Sequence, residues 1–370
     1  MSAADTVQAD ETKIVIAVLA QGLVDAHKLI AEDRGILRQS AEMPHSLRRG
    51  LAMLSAFCLK SGHDKDLGAQ PNAFTELAGR PIGEWGPTPF AECEDRELVL
   101  VDSGCGVPTV ECRQAAGGEV DAAEDVYHSR LRELLKKLGD KRAPAAYAEI
   151  REFIVRHPCL PISALIAFLQ EYPQVAPEVM SFYRPLPFSA LHGHALKVCS
   201  GCGGPLFPVP DVTSYPNGRC ALRECRMIDG SRPPSEEIRI DDLNSWRLAE
   251  RAVLSYWVGP GIPEIRLYDQ LSAVLPGEVN LYPMSDSADI GIRTPEIGID
   301  VKSYSSAVRL GQHFAQTCGN LELFNRRIVA VPDPWLRRDR DYLTTLRAIA
   351  GGRFGIEFLS TAQVVQEFAR

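Results

Sequence analysis

No stretch of this 370-residue sequence approaches the ~20 consecutive apolar residues that a bilayer-spanning helix needs, which argues against a membrane-spanning helical protein. The amino-terminal run MSAADTVQADETK has neither a basic start nor an apolar core, so no secretory signal is expected and a cytoplasmic setting with reduced cysteines follows. There is no G-x-x-x-x-G-K-[ST] phosphate loop, so any ATP-driven step would belong to another protein. A uniform basic coat is also missing: 40 Lys and Arg against 48 Asp and Glu give a net charge of −8. Contact with nucleic acid would have to use a local surface. With 45% hydrophobic and 24% charged residues, the chain is neither disordered nor collagen-like. No internal repeat or low-complexity block is present.

The length predicts two or three domains. Residues 1–12 read as a disordered tail. Apolar spacing then predicts helices over 13–31, 46–60, 124–138, 144–156 and 162–172, with one buried strand at 98–101. Pro144, Pro158, Pro161 and Pro173 punctuate this mostly helical region, 1–185. Between residues 186 and 234, Pro, Gly and Cys replace the helical pattern, closing in the linker DGSRPPS. From 235 to 370 helix and strand alternate: helix 242–257, strands 279–282, 289–293 and 297–303, helix 306–316, strand 327–331, helix 339–350, strand 355–359, helix 361–368. The expected fold class is multidomain α+β.

Four of the ten cysteines cluster: Cys199, Cys202, Cys220 and Cys225. The first pair is C-x2-C followed by Gly203 and Gly204, a knuckle in which two thiolates grip one ion while glycines turn the backbone. The second is C-x4-C. Four thiolates satisfy tetrahedral Zn²⁺ with no open position, which makes the site structural. His192 and His194, just upstream, offer a variant ligand set. The segment resembles a zinc ribbon, and Arg219, Arg223 and Arg226 lean it toward nucleic acid.

The other chemistry-bearing stretch runs from Ser287 to Ser303. Two short apolar strands flank a turn at Arg293–Glu296. In the second, Ile297, Ile299 and Val301 share one face and Gly298, Asp300 and Lys302 the other. A turn centred between Thr294 and Pro295 places Asp289 across the ladder from Asp300, roughly 5 Å apart at Cβ. Such a pair of like charges calls for a cation, and Mg²⁺ suits one or two carboxylates plus waters and phosphate oxygens. A slip of one residue would put the two aspartates on opposite faces. Lys302 reaches the same point, so metal, water and cation converge as phosphodiester hydrolysis requires. Glu250 on helix 242–257 is the expected inward carboxylate. Gln312 and His313 on helix 306–316 would lie near substrate.

This arrangement resembles the PD-(D/E)xK nuclease superfamily, the restriction-endonuclease-like fold. The matching pieces are Glu250 on the first helix, Asp289 at the second strand, Asp300-Val301-Lys302 on the third, Gln312 on the following helix, and the order of elements. No Pro directly precedes Asp289. Pro283, Ser285 and Asp286 lie upstream, which leaves Asp286 as an alternative first ligand. The resemblance implies an α/β nuclease core with a mixed sheet over 235–370, cutting DNA with Mg²⁺ or Mn²⁺ held by Asp289 and Asp300. The whole layout resembles the restriction-endonuclease-related proteins of prokaryotic PIWI-RE (pPIWI-RE) defence modules. That implies a PIWI-type protein or a helicase as partner and is compatible with a homo-oligomer. The alternative reading is a catalytically inactive nuclease-fold adaptor that binds DNA or protein.

Charge is uneven. Residues 92–125 hold ten acids against Arg96 and Arg113, read here as a solvated loop. Residues 302–340 hold seven Lys and Arg against three acids, either a DNA-contacting rim or a self-paired face.

Overall fold

The computed structural model describes residues 3–31, 43–117, 131–139, 142–229 and 234–369. It divides into two compact units, one of residues 1–122 with 304–310, the other of residues 123–303 with 311–370.

In the first unit, helix α1 (Ala3–Ala31) packs on α2 (His45–Lys60). Val15, Ile16, Leu19 and Leu23 recur at helical spacing and share a core with Leu47, Leu51 and Leu54. Phe57, Phe74, Trp85 and Phe90 extend that core through ring contacts. Residues 3–12, expected as a tail, are instead the first turns of α1; the run is rich in Ala and has no Gly or Pro to break a helix. The strand expected at 98–101 is shorter and later, β1 (Val101–Asp102), paired with β2 (Val107–Pro108). The acidic segment is not simply a solvated loop. Asp95, Asp102 and Glu111 are buried. Asp95 pairs with Arg309 through both oxygens, at 2.6 and 2.5 Å. Glu111 accepts from the Ser305 hydroxyl at 2.8 Å and the Ser306 N–H at 2.9 Å. Residues 118–125 of that segment lie outside the described residues, as do 124–130 of the helix expected at 124–138 and 230–233 of the linker.

The second unit contains α3 (Ala143–Arg156). A three-stranded antiparallel sheet places β10 (Trp246–Ala249) between β3 (Cys159–Pro161) and β4 (Tyr183–Pro185). A second joins β5 (Leu191–His192), β6 (Ala195–Cys199) and β9 (Pro234–Arg239), and β7 (Leu206–Phe207) pairs with β8 (Arg219–Cys220). The largest sheet has the order β11 (Val279–Leu281), β12 (Ile290–Ile292), β13 (Ile297–Val301), β14 (Arg326–Val331), β15 (Ile356–Ser360). Its first three strands are antiparallel and its last three parallel, making it mixed. The protein is thus α+β, helical at its amino-terminal end, with a mixed sheet toward the carboxyl terminus.

The expected helix 242–257 is corrected. Residues 246–249 are strand β10, and the helix starts only at Arg251. It widens into a π-helical stretch, Leu254–Val258, and continues as α5 (Gly259–Val274, numbered after α4 (Arg223–Asp229)). G-P-G-I-P reads as a breaker, but Pro260 follows directly on the π-helical stretch, where the regular ladder of N–H groups is already interrupted, and the helix runs on through Pro263. The glycines serve close packing: a Cβ on Gly261 would lie 2.6 Å from Val155 of α3. So α3 and α5 touch backbone to side chain, which determines what faces what in the site below.

In β13, Gly298 lies against the ring of Phe324, which is buried; an added Cβ would sit 2.5 Å from two ring carbons. Gly298→Ala should therefore destabilise the second unit by about 1–3 kcal/mol, read as a lower denaturation midpoint. An unchanged midpoint would show the ring is free to move.

Candidate active site and metal centre

The hairpin has the register expected from its turn: Ile290 pairs with Ile299, Gly291 with Gly298 and Ile292 with Ile297. Asp289, one residue before β12, therefore faces Asp300. Asp289 is buried, and its Oδ2 accepts the Val301 N–H at 2.7 Å. Asp300 is half-buried, with its Oδ2 3.3 Å from Lys302 Nζ. The Lys302 N–H donates to Ala330 O at 3.0 Å, which ties this strand end to β14. Asp289, Asp300 and Lys302 are thus brought together.

Glu250 is not brought to them. It precedes the short helical turn Arg251–Val253 and ion-pairs with Arg184. With residues 246–249 in a strand, it has no inward helical face to occupy. The carboxylate that does face inward is Glu264 of α5. It accepts from the Tyr282 hydroxyl at 2.8 Å and from Arg151 Nη2 at 3.1 Å. Arg151 belongs to α3, one turn before Val155, and Glu264 lies one turn beyond Gly261, so the close helix contact sets these two face to face. Arg151 Nη1 also pairs with Asp286, Nη2 lies 3.9 Å from Asp289 Oδ1, and the guanidinium stacks on Tyr282 at 3.9 Å.

Asp286 is held on two further sides, by the Tyr147 hydroxyl at 3.0 Å and Arg132 at 3.5 Å. It is carried there by a turn with Tyr282, Met284, Ser285 and Asp286 at φ of 48°, 52°, 59° and 76°. Non-glycine residues avoid this left-handed region unless surroundings hold them. Of the two candidate first ligands, Asp286 is thus tied into the arginine cluster, while Asp289 faces Asp300. Gln312 and His313 lie on α6 (Ala307–Gln316); Gln312 is exposed and His313 half-buried.

Burial dominates the electrostatics. It raises Glu264 to about 7, more than Arg151 offsets. Asp289 is pushed well above the usual carboxylate range by burial and by the nearby charge of Glu264. Burial, with help from Lys302, lowers His313 to about 4, leaving it neutral near pH 7.

Sequence reading missed Glu264, Arg151, Tyr282 and Tyr147, yet a signal existed for two of them. Glu264 sits on the stripe Gly261–Glu264–Leu267–Leu271 and Arg151 on the stripe Tyr147–Arg151–Val155, all buried. A charge on an apolar stripe needs a buried partner.

The four cysteines gather at the other centre. Cys199 ends β6, Cys202 lies in the turn after it, Cys220 ends β8 and Cys225 lies in α4. All are buried, with ligand atoms within 4.8 Å of one another. The Cys199–Cys225 and Cys202–Cys220 sulfurs are 3.6 and 3.5 Å apart. The Gly201 and Gly204 N–H groups donate to Cys199 Sγ and Cys202 Sγ, each at 3.4 Å. Gly203 turns the chain with φ +74°. The neighbouring thiols hydrogen-bond to Cys199 and pull its sulfur far toward the thiolate. His192 is engaged elsewhere, its Nε2 2.8 Å from Leu206 O. This donor set fits a structural metal ion such as zinc. Among the described residues it is the one group of three or more ligating side chains so tightly drawn.

A pH test follows from Glu264. Its folded value is raised from 4.5 to about 7, so between those pH values the folded state binds more protons and stability falls as pH rises. His313, lowered from 6.5 to about 4, acts in the opposite sense. Glu264→Gln removes the first slope and also relieves part of the upward push on Asp289, which acts in the same direction. In metal-free buffer its stability should gain on the original protein from pH 4.5 upward, reaching about 3 kcal/mol above pH 7. A gap that does not vary with pH would contradict this burial.

Residues 261–370 match a family model described as a restriction endonuclease (REase) associating with pPIWI_RE. Residues 16–161 match one described as the pPIWI_RE three-gene island domain Y. No curated protein and no solved structure matches the chain. Arg151 and Tyr147 lie in the domain Y match, while Glu264, Asp286, Asp289, Asp300 and Lys302 lie in the other. Both descriptions name the pPIWI-RE system, and the two matches together support a link between this chain and the pPIWI-RE module.

Proposed function

We propose that the chain is a divalent-metal-dependent DNA nuclease subunit of its module, acting in the prokaryotic cytoplasm against phage or plasmid DNA. The restriction-endonuclease-like core is the part beginning near residue 235. The observation that carries this reading is the in-register placement of Asp289 opposite Asp300, with Lys302 beside them. Hard oxygen donors of this kind fit Mg²⁺ or Mn²⁺. Asp289 spends Oδ2 on the Val301 N–H, which orients the carboxylate. When bound, the ion would act as Lewis acid and supply a bound water at lowered pKa. The chain's own residues do the rest. Asp289 and Asp300 hold the ion, with Glu264, in the place expected for Glu250, supporting it from α5. Lys302 stabilises charge developing on the phosphate and orients the attacking water. His313, neutral, stands beside Lys302, and exposed Gln312 is available to substrate. Arg337, Arg338 and Arg340 are exposed and suit phosphate contacts, whereas Arg326 is paired with Glu357 and Glu367.

The module supplies partner proteins, of which a PIWI-type protein or a helicase is the expected one. Zn²⁺ is the ion proposed for the cysteine cluster, where it would hold strands of two residues in place.

Cleavage of plasmid and linear DNA in Mg²⁺, Mn²⁺ or EDTA tests the enzyme. Asp300→Ala should lose both metal binding and cleavage. Lys302→Ala should keep metal and DNA binding and lose roughly 10²–10³-fold in rate. Binding without cleavage in every metal would favour the inactive adaptor. Wild-type rates in Lys302→Ala would remove the lysine from the mechanism.

The cysteine cluster has its own check. Metal analysis should find one zinc per chain, and Cys199→Ser should lose it together with much of the stability that binding supplies, which is of order 10 kcal/mol in small zinc domains. Full stability without zinc would overturn the assignment.

A further inference from the structure

The carboxylates of the candidate site share a cation that the chain itself provides. Arg151 is 3% exposed, and its terminal nitrogens reach Glu264, Asp286 and Asp289. Among the described residues its Nε is buried with no hydrogen-bond partner, and its terminal nitrogens are directed at carboxylates. The left-handed turn at residues 282–286 holds Asp286 to it, and the Tyr282 ring covers it. In two-metal phosphodiesterases a second divalent ion sits about 3.5–4 Å from the first among shared carboxylates. We infer that Arg151 is a resident counter-cation that stands in for such a second ion, so that the site takes one divalent ion only. It is a positioning residue: it fixes Asp286 and Glu264 in place around the ion that Asp289 and Asp300 would hold, and lies 3.9 Å from Asp289 Oδ1. This rests on the nuclease reading for its purpose, though its test needs no DNA.

The test is Arg151→Met, which keeps an unbranched stem and removes the charge. The zinc-loaded, full-length protein is dialysed against Mn²⁺ and counted. The original protein should bind one Mn²⁺ and Arg151→Met two. In EDTA the variant should melt roughly 10 °C lower, and Ca²⁺ should recover most of that loss while barely moving the original protein. One bound Mn²⁺ and an equal loss in EDTA and Ca²⁺ would overturn the inference. If Arg151→Met does not fold, Arg151→Met with Glu264→Gln has one carboxylate charge fewer to compensate and should fold in EDTA. Failure of that pair would show that the arginine acts through packing, against the inference. A protein that binds one Mn²⁺ and never cuts DNA would sink the nuclease reading alone; Arg151→Met that is stable in EDTA would sink this inference alone.

Discussion

A guanidinium cannot be taken out of water among apolar residues unless anions surround it closely. Arg151 meets that condition by drawing on three separate parts of the chain: Glu264 from α5, Asp286 from a left-handed turn, and Asp289 from the start of β12. Each of those segments is thereby located with respect to α3. The constraint also runs backward. Three carboxylates this close would repel one another without the arginine, and burial already raises Glu264 and Asp289. The matched regions 16–161 and 261–370 are therefore not independent parts: within the second unit, one contributes the cation and the other the anions of a single buried cluster.

The cysteine centre answers a different deficit. Between β5 and β9 the strands are short, two residues each in β5, β7 and β8, and such strands have little apolar surface to bury against one another. Four sulfurs converging from β6, its following turn, β8 and α4 provide, where a core is small, a donor set that fits one metal ion. The N–H groups of Gly201 and Gly204 directed at sulfur stabilise thiolate over thiol, the form a metal requires.

Much of this was legible because local pattern and tertiary role agreed. Alternation in Ile297–Val301 and a turn four residues long determine the β12–β13 register, and hence the meeting of Asp289 with Asp300. Cysteine spacing likewise located the second centre. Reading failed where a residue's usual local effect was overruled by packing. The expected helix ended at 257, before Gly259, Pro260, Gly261 and Pro263, yet the helix runs through them, with Gly261 admitting Val155 of α3 and Gly259 admitting Glu224 of α4 at close range. That one misplacement put the helix carboxylate at Glu250 and hid Glu264. Arg151 was hidden for a related reason: its helix was recognised as amphipathic, but nothing local says which distant acids meet an arginine on its buried stripe. The acidic segment misled in the same way, since Asp95 and Glu111 find partners about 200 residues on.

The sheet also sorts the basic residues that composition alone left as one group. Strands β13 and β14 are parallel, so their carboxyl ends lie at the same edge of the sheet. Asp300 and Lys302 close β13 at that edge. The chain leaves β14 there too, and Arg337, Arg338 and Arg340 follow within ten residues, exposed. Arg326 and Arg327 open β14 and so stand at the opposite edge. There Arg326 meets Glu357 and Glu367, and Arg327 donates to the carbonyls of Phe324 and Phe354. Topology thus separates two arginines with structural duties from three exposed ones at the edge where Asp300 and Lys302 lie. Open sheets with parallel strands place their ligands beyond the strands' carboxyl ends, and the exposed arginines at this edge have the sign that the proposed DNA substrate would require.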